Sequence, residues 1–448
     1  MKRIAFNLLL LFCSVLTLAQ GRSVVSGFVR DAETDEPLIG ATVWAKSLKQ
    51  GTIADQFGHY TLYGAGLEHD SIVVSFMGYR TSVQFVEMKP SVRLDFHLVE
   101  GISLETVEVI GQKRIEQRVE MGVLSMPLKE IKTLPSIGGA DVLKIMQLMP
   151  GIQGGMEGRS GLLVRGGSAD QNLMLLDGAS VYYVNHYGDF LSLFHPEIIS
   201  NMKLYKGAFP AKYGGRLSSV VDLRMREGNK KEHKGSFGIG LLSADLLLEG
   251  PLKKDTTSYL ISARRFYLDA LTRPLSYFMS QGMIVGYQFY DVYGKISHAF
   301  NENNRFYLSG YVGDDSFSVR YKPWDDKTFT GKTKTTWGNV LLTGRLNSKI
   351  GRRMIADFTT GYTRYRYLRD NDFDVDSTTY RNGMHSSIHD YFAKAELSYK
   401  FNSAYEIQFG GGTTYRLFEP GTTTTYLAEP DTVLMDVKTG SPSLNGLE

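Results

Sequence analysis

The sequence predicts a mainly β protein in three folded parts: a small N-terminal β-sandwich, a mixed α+β domain and an incomplete antiparallel transmembrane β-barrel. Composition is the first support, because 47 Gly, 26 Tyr and 24 Phe against 13 Pro indicate many turns and many strands with aromatic surfaces. The second is patterning: short alternating strands fill residues 24–100, and longer alternating stretches begin at Gly235. The third is length, since 448 residues exceed one ordinary core.

The N-terminus predicts a signal peptide over residues 1–19. Lys2 and Arg3 precede an apolar run over residues 4–18, and Thr17 and Ala19 supply the small residues that a signal peptidase reads. Cleavage after Ala19 removes Cys13, the one cysteine of the sequence, which excludes disulfide scaffolds and thiolate metal sites in the mature chain. Beyond residue 20 no apolar stretch reaches the about 20 residues of a membrane helix. The exported protein is therefore either soluble or a β-barrel.

The net charge of the chain limits the classes of molecule that it is expected to bind. The chain has 50 basic and 47 acidic residues, a formal net charge of +3. This gives no broad positive field of the kind that collects nucleic acid, so nucleic-acid binding is not expected.

Residues 20–100 carry the pattern of a small sandwich, with alternating strands separated by polar turns. Three blocks stand out: residues 27–31 (GFVRD), 37–43 (PLIGATV) and 58–60 (GHY). They resemble the carboxypeptidase regulatory-like domain, and the resemblance implies a transthyretin-like β-sandwich without catalytic residues. Gly40 and Gly58 are expected where the backbone needs positive φ or close approach.

Residues 101–133 form a charged linker with one β-prone segment, residues 104–112 (LETVEVIGQ). This segment resembles the TonB box, an extended peptide that TonB grips by added-strand pairing. The residues that match are Thr106, Val107, Glu108, Val109 and Ile110. The resemblance implies TonB as a partner.

Residues 134–234 begin with a helix expected over residues 139–148, because Val142, Ile145, Met146 and Met149 recur at helical spacing before Pro150. Six blocks then follow in order: residues 148–152, 163–167, 175–178, 204–207, 211–215 and 220–223. Their order resembles the plug domain of TonB-dependent outer-membrane transporters. The motif residues that this resemblance marks are Arg165, Gly166, Asp177, Gly178, Lys206, Gly207, Tyr213 and Gly214.

The glycine-rich stretch 166–170 (GGSAD) is predicted to be a turn between paired strands rather than a phosphate-binding loop. No Lys-Ser or Lys-Thr follows its glycines, and the spacing of the dinucleotide fingerprint also fails.

Residues 235–448 alternate with period two. In 391–401 the odd positions are mostly apolar or aromatic and the even ones polar, and 405–417 repeats the pattern, so one face suits lipid and the other water. Short turns near 251–256, 301–304, 349–352 and 402–403 alternate with long polar connections expected at 266–285, 314–334 and 369–388, as at the two rims of an outer-membrane barrel.

The expected strand number is too small for a plugged barrel. A loss of parity near residues 242–243 predicts a tight hairpin and about nine strands in all, whereas plugged transporters use about 22. We therefore expect an N-terminal fragment or truncated product that ends in an outer loop, with an unpaired edge on its last strand.

Signatures of hydrolases and of zinc sites are absent from the sequence, so no enzyme activity, catalytic residue, metal site or cofactor is expected. Under the plug resemblance a substrate would meet the outward loops 152–160 and 182–190. The candidate ligand-binding residues are Met156, Arg159, Tyr182, Tyr183, Asn185, His186 and Tyr187. The same residues also fit ordinary turn and packing roles.

The resemblance implies active, TonB-dependent import across the cell outer membrane of a scarce or bulky substrate: a siderophore, vitamin, oligosaccharide or peptide. The plug and sandwich would then lie on the periplasmic side. Implied partners are TonB with its inner-membrane energising proteins, outer-membrane lipid, the substrate and a surface lipoprotein. The alternative is a non-transporting outer-membrane surface receptor or adhesin.

Overall fold

The structure is a computed structural model, which describes residues 24–55, 57–63, 69–87, 91–101, 123–126, 141–154, 162–186, 191–280, 282–324, 329–351, 353–401, 405–430 and 432–448. The predicted signal peptide and the TonB-box-like segment lie outside the described residues. The described residues divide into two compact units. One belongs to Met1–Val119 and Lys400–Ile407, the other to Glu120–Tyr399 and Gln408–Glu448.

The first unit is a sandwich of two four-stranded sheets. Its strands are β1 (Val24–Asp31), β2 (Thr42–Ala45), β3 (Gln50–Ile53), β4 (His59–Tyr63), β5 (His69–Ser75), β6 (Ser82–Glu87), β7 (Ser91–Arg93) and β8 (Phe96–Leu98). One sheet has the order β4-β1-β7, with β8 also paired to β1, and the other has the order β3-β2-β5-β6. Alternate side chains such as Val25, Val43 and Ile72 are fully buried between the sheets, as the strand pattern predicted.

Two glycines of the sandwich have the backbone that the sequence led us to expect. Gly40 and Gly58 have φ of +89° and +70°. A Cβ at Gly58 would lie 2.5 Å from the carbonyl oxygen of Val29, whereas one at Gly40 would meet nothing within 4 Å. Gly58 thus combines positive φ with close approach, and Gly40 needs positive φ alone.

The second unit begins with the plug region, β9 to β17 with helix α1. The elements are β9 (Val123–Met126), α1 (Val142–Gln147), β10 (Ile152–Gly154), β11 (Leu162–Val164), β12 (Asn172–Leu176), β13 (Ala179–Ser180), β14 (Asn185–His186), β15 (Leu191–Ser192), β16 (Ile199–Tyr205) and β17 (Ser219–Met225). A five-stranded sheet of order β13-β12-β17-β16-β9 forms its centre, and β12 runs parallel to β17.

Helix α1 is shorter than the sequence predicted and begins at a capping residue. Asp141 accepts hydrogen bonds at Oδ1 from the backbone N–H of Leu143 and of Lys144, at 2.9 and 3.1 Å. This side-chain cap fixes the N-terminus of the helix. Val142, Ile145 and Met146 are buried.

The glycine-rich stretch is a turn, but the expectation that it joins paired strands is wrong. β11 pairs with β10, whereas β12 pairs with β13 and β17. The connection carries a single 3₁₀ turn at Ala169–Gln171, which turns the chain out of one sheet and into another.

The remainder of the unit is an antiparallel sheet of eleven strands among the described residues, called the wall below. Its elements are β18 (Lys234–Ile239), β19 (Ser243–Lys253), β20 (Thr257–Phe266), helix α2 (Leu268–Met279), β21 (Met283–Ala299), β22 (Asn304–Tyr321), β23 (Phe329–Ile350), β24 (Met354–Val375), β25 (Thr378–Lys400), β26 (Glu406–Glu429), β27 (Thr432–Gly440) and β28 (Leu444–Leu447). Sequential strands are neighbours from β18 to β27, and β28 also pairs with β26. The order begins at β18 and ends at β27, and these two strands are not paired with each other in the described part. The wall is therefore an open sheet.

The long polar connections predicted at 314–334 and 369–388 are wrong. Most of these residues are paired strand, because β22 to β25 are 18 to 23 residues long. Polar side chains do not end a strand when they pair across it: Lys332 lies opposite Asp372, and Lys334 opposite Asp370. The stretch 266–285 is also no polar loop, since it contains α2.

The expected number of wall strands and the expected C-terminal outer loop also differ from the structure. The described structure has eleven strands rather than about nine. The predicted outer loop is instead strand, and β27 and β28 cover the edge of β26 at residues 422–429 and 415–418. β27 and β28 then form the edge of the open sheet in the described residues, so an unpaired edge on the last strand is present as predicted. The predicted hairpin near 242–243 is present, between β18 and β19.

The alternating pattern divides the wall into two faces as predicted. On β25 Tyr391 is exposed, whereas its neighbours Asp390 and Phe392 are buried against the plug region. Ile407 and Phe409 of β26 are likewise exposed. No helix in the described ranges is long and apolar enough to cross a membrane.

Candidate functional site

The inner face of the wall and the plug region share one hydrophobic core. Plug residues such as Met202, Leu204 and Val221 belong to the same buried cluster as the wall residues Leu247 and Phe392. Around this apolar centre, polar side chains of the plug pair with polar side chains of the wall. These pairs form the candidate site.

Asp177 is the first of these contacts. It forms a two-residue turn with Gly178 between the paired β12 and β13, with φ of +48° and +87°. Both residues in the left-handed region make a turn of the type that Asp-Gly favours. The turn places the Asp177 carboxylate against β21.

The Asp177 carboxylate is buried and fully partnered. Tyr293 donates its hydroxyl to Oδ2 at 2.6 Å, Lys295 lies 3.2 Å from both oxygens, and the N–H of Met225 donates to Oδ1 at 3.0 Å. Burial alone would raise the pKa of Asp177, but Lys295 and the two hydrogen bonds outweigh it and lower the pKa. Asp177 therefore binds plug to wall as an anion.

His186 is the second contact, on the segment 181–186 (VYYVNH). Its Nδ1 lies 2.8 Å from Oδ2 of Asp315, and its Nε2 lies 3.2 Å from Oδ1 of Asp291. The ring also stacks on Phe289, with centroids 3.9 Å apart and planes 3° from parallel. Burial would lower the pKa of His186, but the two carboxylates raise it to about 9. The histidine is therefore a buried cation at neutral pH.

Tyr182 extends the same segment to the far strands of the wall. Its hydroxyl donates to Asp390 and accepts from Nε of Arg416 at 3.1 Å. Arg416 also donates to Asp390 at 2.9 Å. Burial, then Asp390, raise the pKa of Tyr182, so the phenol stays protonated and acts as a donor.

Tyr183 lies within a group of aromatic rings. Its ring centroid is 6.4 Å from that of Trp337 and 6.2 Å from that of Tyr365, both on inward positions of the wall. Its carbonyl accepts from Nδ2 of Asn339 at 2.7 Å. Asn185 is buried in β14. Residues 182–186 thus touch strands from β21 to β26.

The other plug motif residues support the plug itself. Arg165 and Gly166 turn the chain at φ of +49° and +82°, and Gly207 has φ of +144°. Lys206 donates to the carbonyl of Pro150 at 2.8 Å. These residues join parts of the plug and do not meet the wall residues above.

Tyr213 and Gly214 lie between β16 and β17. Tyr213 donates to Asp222 at 2.9 Å. Burial and then Asp222 raise the pKa of Tyr213. A Cβ at Gly214 would meet nothing within 4 Å. This motif therefore orders the β16–β17 connection.

The structure brings together only part of the predicted ligand set. Tyr182, Tyr183, Asn185 and His186 lie along one segment, whereas Met156, Arg159 and Tyr187 lie outside the described residues, as does the TonB-box-like segment. Among the described side chains, no group of His, Cys, Asp or Glu is arranged to hold a metal ion.

Sequence reasoning missed the wall partners. They are Asp291, Lys295, Asp315, Asp390 and Arg416, and each is a charged residue at an inward position of a wall strand. The inward position of these residues could be predicted from the alternation along each strand, but their partners in the plug could not. Asp177 and Lys295 are 118 residues apart, and Tyr182 and Asp390 are 208 apart.

Comparison with known proteins assigns the domains. Residues 25–110 match the CarboxypepD_reg-like domain and residues 116–221 match the TonB-dependent receptor plug domain. The TonB-dependent receptor SusC of Bacteroides thetaiotaomicron is 29% identical over 223 residues, which cover 47% of this chain and 21% of SusC. The TonB-dependent receptor P39 of Formosa agariphila is 31% identical over 237 residues, 49% of this chain and 21% of P39.

Solved structures give a fold likeness at low identity. The RagAB peptide importer in its closed-closed state is 12% identical, with a TM-score of 0.48, over 74% of this chain and 52% of that chain. The match to the curated relatives spans about a fifth of their length. The chain therefore carries a CarboxypepD_reg-like domain followed by a TonB-dependent receptor plug domain, and over this part it is similar to TonB-dependent receptors.

Proposed function

We propose that the protein takes part in TonB-dependent active import of a scarce or bulky substrate across the outer membrane. One observation carries the proposal: the plug sheet and the wall are separate sheets joined by side-chain contacts in the described residues. Asp177 with Lys295, His186 with Asp315, and Tyr182 with Asp390 are the polar contacts. Such contacts break one at a time, so a pulling force can displace the plug without unzipping a shared β-ladder.

The proposal assigns each part a role. Substrate contacts the outward plug loops through Tyr182 and Tyr183 together with Met156, Arg159 and Tyr187. The other two residues of the predicted set, Asn185 and His186, are buried and hold this segment against the wall instead. TonB grips Thr106, Val107, Glu108, Val109 and Ile110 on the periplasmic side and transmits force from its energising proteins. The boundaries 1–19, 20–100, 101–133, 134–234 and 235–448 remain predictions that frame these roles.

The substrate class stays open among siderophore, vitamin, oligosaccharide and peptide. A surface lipoprotein is a further proposed partner. TonB-dependent receptors are transport proteins, and that this chain has no catalytic activity of its own is part of the proposal. Activity of the purified protein against peptide or ester substrates would contradict it.

Deleting residues 104–112 tests the proposal. A strain carrying the deletion should lose growth on limiting iron, on single glycans or on peptides, whichever the intact protein supports. In a matched variant, a Gly-Ser linker of nine residues occupies positions 104–112, and the unchanged TonB-box-like segment follows it at positions 113–121. This variant should restore growth.

Binding distinguishes the alternative. Under import, substrate binding to whole cells survives the deletion while uptake is lost. Under a surface receptor or adhesin role, both binding and growth are unchanged by it, and that outcome would refute TonB-dependent import.

A further inference from the structure

Helix α2 lies on the outward face of the wall. On β21 the odd positions, such as Phe289 and Tyr293, are buried towards the plug, while Tyr290 and Val292 are exposed on the opposite face. Gly286 shares the parity of Tyr290 and Val292. A Cβ built on Gly286 would lie 2.6 Å from Nε of Arg273 and 3.3 Å from Cβ of Asp269. The helix therefore packs where outward side chains of the wall would stand.

The helix turns its polar side to the protein. Asp269 is buried and lies 3.4 Å from Arg273. Ser276 accepts at Oγ from the N–H of Val285 at 2.9 Å. Residues 269, 273 and 276 share one face of a helix because they are separated by four and three positions.

The apolar side points away from the protein. Leu271, Leu275 and Phe278 follow the same spacing on the opposite face and are 48%, 59% and 70% exposed, and Met279 beside them is 75% exposed. A helix in water buries its apolar stripe against the core. Here the arrangement is reversed, and the apolar stripe is exposed in the described structure.

The part of β21 that α2 packs against indicates the depth of the helix relative to the membrane. Tyr290 pairs with Asp314, and Gln288 with Ser316, so outward side chains become polar just beyond the apolar positions Val292 and Ile296. An aromatic residue followed by polar ones is the pattern of a membrane–water boundary. α2 packs at Gly286, on the polar side of that boundary, which is the depth of lipid headgroups.

Basic side chains lie on the same outward face. Ile284 pairs with Arg320, and Arg320 with Lys332. Arg320 is exposed, and Lys334 beyond it is exposed too. Asp372 and Asp370 lie opposite the two lysines on the next strand. Beside the helix, Arg320 is exposed, and so is Lys322, whose backbone N–H donates to the carbonyl of Gly282 just past the helix C-terminus at 3.1 Å. Basic residues beside an apolar helical stripe suit an anionic lipid surface.

We propose that α2 is an interfacial helix that seats Leu271, Leu275 and Phe278 in the headgroup layer of an anionic lipid surface, with Arg320 and Lys322 facing the headgroups. Trp324 and Tyr277, with ring centroids 5.7 Å apart, then lie at the same depth. This inference rests on the outer-membrane placement of the wall.

Trp324 provides the test. The sequence has three tryptophans, so replacing Trp44 and Trp337 by Phe leaves Trp324 as the single reporter in the full chain. Reconstituted into phosphatidylcholine and phosphatidylglycerol vesicles with brominated acyl chains, Trp324 emission should be quenched and shifted to shorter wavelength. Quenching should weaken when phosphatidylglycerol is omitted; equal quenching in both lipids would overturn the assignment to an anionic surface.

Paired variants locate the contact on the helix. Leu275→Glu with Phe278→Glu should abolish most of the quenching of Trp324. Ala270→Glu adds a like charge to an exposed position of the same helix outside the stripe and should leave it unchanged. Equal loss in both would overturn the assignment to the stripe.

A second reporter separates this inference from the proposed function. In a chain without native tryptophans, Leu308→Trp places the ring on an outward position of β22 that is 40% exposed. Quenching at position 308 without quenching of Trp324 would overturn the interfacial helix alone and point to a protein partner for the stripe. Absence of quenching at both positions would overturn the membrane placement of the wall itself.

Discussion

Replacing Asp177 by Asn removes one charge from the junction of plug and wall while keeping the side-chain shape. Asn also tolerates the left-handed backbone at this position, where φ is +48°. The substitution leaves Lys295 buried and without its anion, since the side chains of Lys295 and Asp177 are only 7% and 9% exposed. The direction of the effect is therefore a weaker plug–wall junction.

The magnitude follows from the contacts that remain. Breaking a buried ion pair by removing one partner costs about 3–5 kcal/mol. Lys295 still donates to the carbonyl of Met225 at 2.8 Å, so the low end, about 3 kcal/mol, applies. That is roughly a hundredfold increase in the population of the opened junction.

Amide hydrogen exchange of β12 and β17 in the full chain measures this population. Adding Lys295→Met to Asp177→Asn removes both charges and should recover part of the loss, because the uncompensated cation disappears. Asp170→Asn, on the exposed turn before β12, is the matched control and should leave exchange unchanged. If Asp177→Asn and Asp170→Asn gave the same exchange rates, the argument that this ion pair fastens the plug would be refuted.

Three further predictions concern His186 and two backbone positions. Because the pKa of His186 is raised from 6.5 to about 9, its stabilisation is complete below about pH 6.5 and is lost as pH rises through about 9. His186→Gln should abolish this pH dependence of the opening free energy of the plug, measured as amide protection relative to the intrinsic exchange rate at each pH, and an unchanged dependence would contradict it. Gly58→Ala should destabilise the sandwich by about 1–3 kcal/mol more than Gly40→Ala, measured by exchange of β1 amides, since only Gly58 faces a backbone oxygen; equal losses would argue against this packing. Gly286→Val should speed amide exchange in α2 and leave β12 unchanged, because the new side chain displaces Arg273; an unaffected helix would show that α2 packs elsewhere.

The predictions that succeeded depend on local patterns. Positive φ at Gly40 and Gly58 follows from glycine in turn blocks, and the two faces of β25 follow from strict alternation. Likewise the buried side of α1 follows from the spacing of Val142, Ile145 and Met146. Each of these statements concerns residues within one element or one turn.

The predictions that failed concern where strands end. Polar composition in 314–334 and 369–388 was interpreted as loop, yet strands there continue through cross-strand pairs such as Lys332 with Asp372. Polar composition indicates that a strand is exposed to water. It does not indicate whether a neighbouring strand supplies the backbone hydrogen bonds. The helix α2 was also missed, inside a segment that was interpreted as a polar connection.

The sequence by itself determined the order of the matched domains and the alternating faces of the wall, because motif blocks and strand periodicity are both local features of the sequence. Only the tertiary structure decided which wall residues meet Asp177, Tyr182 and His186. Those partners lie more than 100 residues away along the chain. Their pairing is fixed by the register of successive strands and the seating of the plug against them, neither of which leaves a local signature.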